Sequence, residues 1–214
     1  MKICGLTRTA DVECAVTCGT DAIGIVLAPS PRQVEYRAAR ELLGAAGPDV
    51  IKVAVFRSAA GADLHQLADL GFDAVQGEVV VPAMPDTLAF LPVVTDGPRL
   101  ESRATTALAG GHQANSAALS RLGAPDILLD GPRGGGGGVL ADTHRARALA
   151  LGHRIVLAGG LTPENVARSV AAICPVAVDV SSGVESAPGL KDHNRLKAFI
   201  EAVRTAATTT EAIS

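Results

Sequence analysis

The sequence predicts one (β/α)8 barrel, on three observations. Eight short apolar runs alternate with amphipathic stretches over 214 residues, a length that suits one domain with a substantial core. Aromatic residues are 2% of the chain and Trp is absent, so the core must be built from Val, Leu, Ile and Ala. That composition suits parallel strands covered by helices on their outer side. Finally, apolar runs at the two ends of the chain, Lys2–Thr7 and Val178–Glu185, both break into small polar residues. Two such breaks fit a sheet that closes on itself and pools its strand ends in one site.

The strand-like runs, in order, are Lys2–Cys4, Ala22–Leu27, Val50–Phe56, Ala74–Gln76, Phe90–Val94, Ile127–Leu129, Ile155–Ala158 and Val176–Val180. Helical patterns lie near 9–18, 36–46, 61–70, 113–122, 142–151, 163–172 and 192–206. Right-handed crossovers then put the C-terminal end of every strand at one rim. The helix after strand four is expected to be short or irregular, because Pro82 and Pro85 fall in Val81–Thr87. Thr95–Gly111 reads as a long irregular connection. Residues 1–206 are expected to form the barrel, and 207–214, rich in Thr and Ala, a disordered C-terminal tail.

Several function classes are disfavoured. A net charge of −3 argues against a nucleic-acid platform. No run of 18 apolar residues exists, which argues against a membrane span. The chain enters a strand at once, without a signal-peptide pattern, so a cytoplasmic location is expected. There Cys4, Cys14, Cys18 and Cys174 would be free thiols.

The strand ends carry the chemistry. Cys4 closes strand one and is a base or nucleophile if its thiol ionises, or else a small buried hydrophobe. Asp130 closes strand six beside apolar residues that would raise its pKa, as a general acid needs near neutrality. The alternative is a cap of the turn Asp130-Gly131-Pro132. Arg32 sits in the stiff loop Pro29-Ser30-Pro31-Arg32, where it could fork onto a carboxylate or simply face solvent. Gly159-Gly160-Leu161-Thr162-Pro163 follows strand seven and reads as a tight turn, with Thr162 and Pro163 as N-cap and first residue of a helix. With Ser181-Ser182-Gly183 after strand eight it would make an anion cradle, the place of the phosphate site in many such barrels. Asp179, a carboxylate inside a parallel strand, needs either a task or a structural partner such as Lys2.

These motifs resemble the phosphoribosylanthranilate isomerases. The similarity rests on Lys2-Ile3-Cys4-Gly5-Leu6-Thr7, on Leu157-Ala158-Gly159-Gly160-Leu161-Thr162-Pro163-Glu164-Asn165-Val166, and on Val178-Asp179-Val180-Ser181-Ser182-Gly183-Val184-Glu185 followed by Pro188-Gly189-Leu190-Lys191-Asp192. The resemblance implies Cys4 as general base and Asp130 as general acid. It implies Arg32, Gln76 and Asp179 as substrate contacts, and Gly159, Gly160, Ser181, Ser182 and Gly183 as phosphate-binding. The implied reaction is the Amadori rearrangement of N-(5-phosphoribosyl)anthranilate, a phosphorylated small molecule, with no metal or other cofactor. A monomer or a homodimer would serve.

The middle of the chain departs from the family pattern. Where V-Q-L-H-G is usual, this chain reads Val75-Gln76-Gly77-Glu78, without the histidine. Gly134–Gly138 resembles a substrate-covering loop but lacks its lysine. Asp96 would add negative charge at the mouth. These departures also fit a diverged paralogue acting on another amino-sugar phosphate, or a non-catalytic phosphosugar-binding barrel. A bifunctional isomerase is disfavoured, because Cys4 stands where an aspartate is expected.

Overall fold

The computed structural model describes residues 1–59, 61–78, 84–109, 116–134 and 138–211. Eight parallel strands close into a barrel in sequence order: β1 (Lys2–Cys4), β2 (Ala22–Val26), β3 (Ile51–Val55), β4 (Ala74–Gly77), β5 (Ala89–Thr95), β6 (Ile127–Asp130), β7 (Ile155–Leu157) and β8 (Ala177–Val180). The seam is the β1–β8 pair, with Lys2 opposite Asp179 and Ile3 opposite Val180. A two-stranded antiparallel ribbon, β9 (Glu185–Ala187) with β10 (Leu190–Lys191), folds over the rim after β8.

Strand periodicity divides the apolar residues into two clusters. Ile3, Ile23, Ile25, Ala54, Val75, Phe90, Ile127, Leu129, Leu157 and Val178 belong to the larger one, together with helix residues such as Val12, Leu42, Leu67, Leu149, Val166 and Phe199. Ala22, Val53, Ala74, Leu91, Leu128, Val156 and Ala177 form the other. Successive side chains of a strand face opposite ways, so the second set fills the barrel and the first seats the helices. The interior set, continued toward the strand ends, reaches Cys4, Gln76, Asp130, Asp179 and Ser181. One alternation therefore fixes both core and site.

The covering helices are α1 (Thr9–Thr17), α2 (Tyr36–Ala46), α3 (Leu64–Leu70), α4 (Leu100–Ala109), α5 (Thr143–Gly152), α6 (Val166–Ile173) and α7 (His193–Glu211). Helix α3 starts where Asp63 accepts a hydrogen bond from the Gln66 amide, and it ends at Gly71 in a left-handed conformation. No helix lies between β4 and β5 among the described residues, and residues 79–83 lie outside them.

Four sequence expectations need correction. Residues 95–111 are not irregular throughout, because Leu100–Ala109 is helix α4. Its Leu100 and Ala104 are buried and Leu108 is partly buried against the core, one apolar residue per turn between Gly97-Pro98 and Gly110-Gly111. The helical pattern at 113–122 is a 3-10 turn over Ser116–Leu122 that buries Leu119 and Leu122, while 113–115 lie outside the described residues. Helix α6 begins at Val166 and not at Pro163, because Asn165 bridges the preceding turn. Finally, the tail does not fray at 207. Helix α7 runs through Glu211, and 212–214 lie outside the described residues.

Candidate active site

All ten site residues expected from the sequence line one pocket at the C-terminal rim of the barrel. Phe56, Arg57, Glu78 and Val93 line it too.

The floor is ionic. Lys2 is 0% exposed, and its Nζ donates to Asp179 Oδ1 at 3.0 Å. Asp179 thus has Lys2 as a structural partner, and it also lines the pocket. Burial alone would lower the Lys2 pKa, but the charges of Asp179 and Cys4 outweigh it and the pKa is raised. Lys2 therefore stays cationic. Cys4, two residues on, is 7% exposed. Burial pushes its thiol pKa up, Lys2 and Lys191 pull it down, and the net direction is up.

Asp130 is 8% exposed at the end of β6. Burial raises its pKa to about 6, helped by the nearby charge of Asp179 and opposed by the hydrogen bond it accepts from the Gly131 amide at 2.8 Å. Gly159 makes that approach possible. A Cβ there would stand 2.3 Å from the Gly131 nitrogen and 2.7 Å from Asp130 Oδ1. The cap role of Asp130 is met by its own Gly131 bond, and the carboxyl still faces the pocket.

Arg32 does not face open solvent. Its Nε and Nη2 fork onto Glu185 at 2.8 and 2.7 Å, and Lys191 Nζ donates to the same carboxylate at 2.8 Å. Lys191 Nζ also donates to the Ser181 carbonyl at 3.0 Å, which ties the charge cluster to the loop after β8. Three cations, Lys2, Lys191 and Arg32, therefore surround two carboxylates, Asp179 and Glu185, leaving one positive charge in excess.

The loops after β7 and β8 meet through their glycines. A Cβ on Gly183 would stand 1.8 Å from the Leu161 carbonyl oxygen, so only glycine lets these loops touch. Asn165 braces the first loop, accepting from the Thr162 amide at 2.8 Å and donating to the Gly160 carbonyl at 2.9 Å.

Asp96 does not add free charge at the mouth. It is buried, receives Arg145 through bonds of 2.7 and 2.9 Å, and accepts the Asp142 amide at 2.8 Å. The hydrogen bond with Arg145 lowers its pKa most, against burial. Gly134 and Gly138 both have positive φ, whereas 135–137 lie outside the described residues. Gln76 Oε1 is buried without a hydrogen-bond partner among the described residues.

Sequence reasoning gave no role to Glu185 or Lys191. Their signal was present: Glu185 and Lys191 both stand in the motifs Val178–Glu185 and Pro188–Asp192 that carry the resemblance. Among the described residues no group of three or more His, Cys, Asp or Glu is placed to hold a metal ion. No helix among them is long and apolar enough to cross a membrane.

Known proteins resemble this chain in sequence and fold. A family profile described as N-(5'phosphoribosyl)anthranilate (PRA) isomerase matches residues 101–202. The N-(5'-phosphoribosyl)anthranilate isomerase of Pseudomonas aeruginosa strain UCBPP-PA14 is 39% identical over 213 residues, covering 95% of this chain and 94% of its own. The crystal structure of phosphoribosyl anthranilate isomerase from Thermotoga maritima superposes with a TM-score of 0.78 at 33% identity, over 95% of this chain and 98% of that one. A phosphoribosyl anthranilate isomerase in complex with reduced 1-(o-carboxyphenylamino)-1-deoxyribulose 5-phosphate superposes at 0.73 with 30% identity, over 95% and 97% of the two chains.

Proposed function

Since the chain belongs to the phosphoribosylanthranilate isomerase family, we propose that it converts N-(5-phosphoribosyl)anthranilate to 1-(2-carboxyphenylamino)-1-deoxyribulose 5-phosphate, a step of tryptophan synthesis. The observation that carries this reading is a carboxyl raised to about 6 lining one pocket with a thiol, an arginine and two glycine-rich loops.

In this reading the backbone amides of Gly159 and Gly160, with Ser181, Ser182 and Gly183, hold the phosphate. Arg32 holds the anthranilate carboxylate, while Gln76 and Asp179 contact the ribose. Anchoring both ends sets the ribose between acid and base, a positioning contribution. Protonated Asp130 gives its proton to the furanose ring oxygen. The bond from that oxygen to C1 breaks, and the nitrogen lone pair forms the Schiff base. The Cys4 thiolate removes the proton from C2, and the electron pair flows toward the imine nitrogen. The resulting enolamine tautomerises to the C2 ketone, so the net change is a hydrogen moved from C2 to C1. The imine is the electron sink, so each step is proton transfer between named groups.

The reading extends to a cytoplasmic monomer or homodimer. It is tested by the loss of anthranilate-type fluorescence when the purified protein meets freshly generated substrate. Fast decay that Cys4→Ser lacks supports both the reaction and its base. Parental decay by Cys4→Ser sinks the base assignment. No decay by the parent, with phosphate still bound, points to another amino-sugar phosphate.

A further inference from the structure

Resting on the reading of Cys4 as the base, we propose that Lys2 is a positioning residue that eases ionisation of the buried Cys4 thiol, with Asp179 fixing where the ammonium sits. A fully buried lysine is costly, and one ion pair seldom repays the loss of hydration. The Lys2 placement therefore calls for a use beyond the seam between β1 and β8. Gly24 of the neighbouring strand shows what that use is. A Cβ at Gly24 would stand 2.7 Å from Cys4 Sγ and 3.1 Å from Lys2 Nζ. Thiol and ammonium thus share one niche, kept open by the absence of a side chain.

The charge inventory around the thiol supports the assignment. Lys2 of β1 and Lys191 of β10 favour the thiolate, and Asp179 of β8 opposes it. Arg32, on the loop after β2, also senses the Cys4 charge. Asp130 of β6 lies within reach of Lys2 and Asp179, with Glu78 acting on it in turn. In the ion pairs alone, Lys2, Lys191 and Arg32 set three positive charges against the two negative charges of Asp179 and Glu185, before Asp130 and Glu78 are counted. Lys2 remains cationic despite its burial, so the compensating charge is in place before substrate arrives.

The test follows the ultraviolet thiolate absorbance against pH, taken as the difference between a protein with Cys4 and its Cys4→Ser counterpart. It is run for the parent, Lys2→Met and Asp179→Asn. Lys2→Met should raise the Cys4 midpoint by about one pH unit or more, lower kcat about tenfold below that midpoint, and leave KM within about twofold. Asp179→Asn, which removes the opposing charge, should lower the midpoint. An unmoved midpoint in Lys2→Met, with kcat reduced alike at every pH, would reduce Lys2 to a structural residue and overturn the proposal. If Lys2→Met does not fold, Lys2→Gln, which keeps the length and a hydrogen bond to Asp179 without the charge, decides, since an unmoved midpoint there also overturns it. Parental turnover by Cys4→Ser would remove the base reading instead, while the titration still reports whether Lys2 controls the thiol.

Discussion

Asp130→Asn should inactivate the protein and at the same time stabilise it. Burial at the end of β6 takes this carboxyl from an ordinary 3.8 to about 6. At about 1.4 kcal/mol per pH unit, ionising it in the folded chain costs about 3 kcal/mol more than in the unfolded one. The folded pKa lies above the unfolded one. The associated stability is therefore present below the ordinary value and is lost as pH rises through about 6. Asparagine is never ionised and keeps an oxygen for the Gly131 amide. The variant should then gain about 3 kcal/mol near pH 8 and only about 1 kcal/mol near pH 4.5. Urea unfolding of parent and variant at the two pH values measures this directly. Equal gains at both would mean that burial does not hold the carboxyl protonated. Turnover should fall by about a hundredfold or more, because a positioned acid is missing.

Glu185→Gln should raise KM and lower the thermal midpoint, since removing one member of a buried charge cluster costs about 3 kcal/mol; an unchanged KM would show that Arg32 needs no brace from Glu185. Gly183→Ala should weaken inorganic phosphate binding about tenfold or more in calorimetry, because its Cβ would strike the Leu161 carbonyl. Retained affinity would place the phosphate elsewhere. The profile of kcat/KM against pH should have an acid limb at about 6 that disappears in the residual activity of Asp130→Asn; a limb that persists belongs to another group.

The barrel was legible because its strands are short apolar runs whose alternation also aims the site residues. Cys4, Gln76, Asp130 and Asp179 share the parity of Ala22, Val53, Leu128 and Ala177, which fill the interior. A reader of the sequence could apply that rule without coordinates. What it missed was tertiary. Helix α4 is held by few apolar side chains between glycine signals, and burying Leu100 against the core is worth about 2 kcal/mol. No local pattern reports that contact. Asp96 looked like a free charge because its partner, Arg145, lies 49 residues further along. Glu185 and Arg32 are 153 residues apart, and only closure of the barrel brings them together.

The same closure resolves a tension in the proposed chemistry. With Asp130 at about 6 and the Cys4 thiol raised above its ordinary 9.0, the prevailing form near neutrality is ionised Asp130 with neutral Cys4. The productive pairing is the opposite one, protonated acid with thiolate. Because the carboxyl titrates below the thiol, that pairing is a small minority of the molecules. A substrate with two anionic ends would make it scarcer still, since each negative charge disfavours the thiolate. The site must therefore bring positive charge that its own carboxylates do not use up. In the productive form, with Asp130 protonated, Lys2, Lys191 and Arg32 around Asp179 and Glu185 leave one such charge. Backbone amides on the phosphate add no full charge, and an arginine spent on the carboxylate cancels it. Once both anchors are engaged, Lys2 and Lys191, each also paired with a carboxylate, are the cations whose fields still favour ionised Cys4, and the depth of Lys2 keeps it from being screened by solvent.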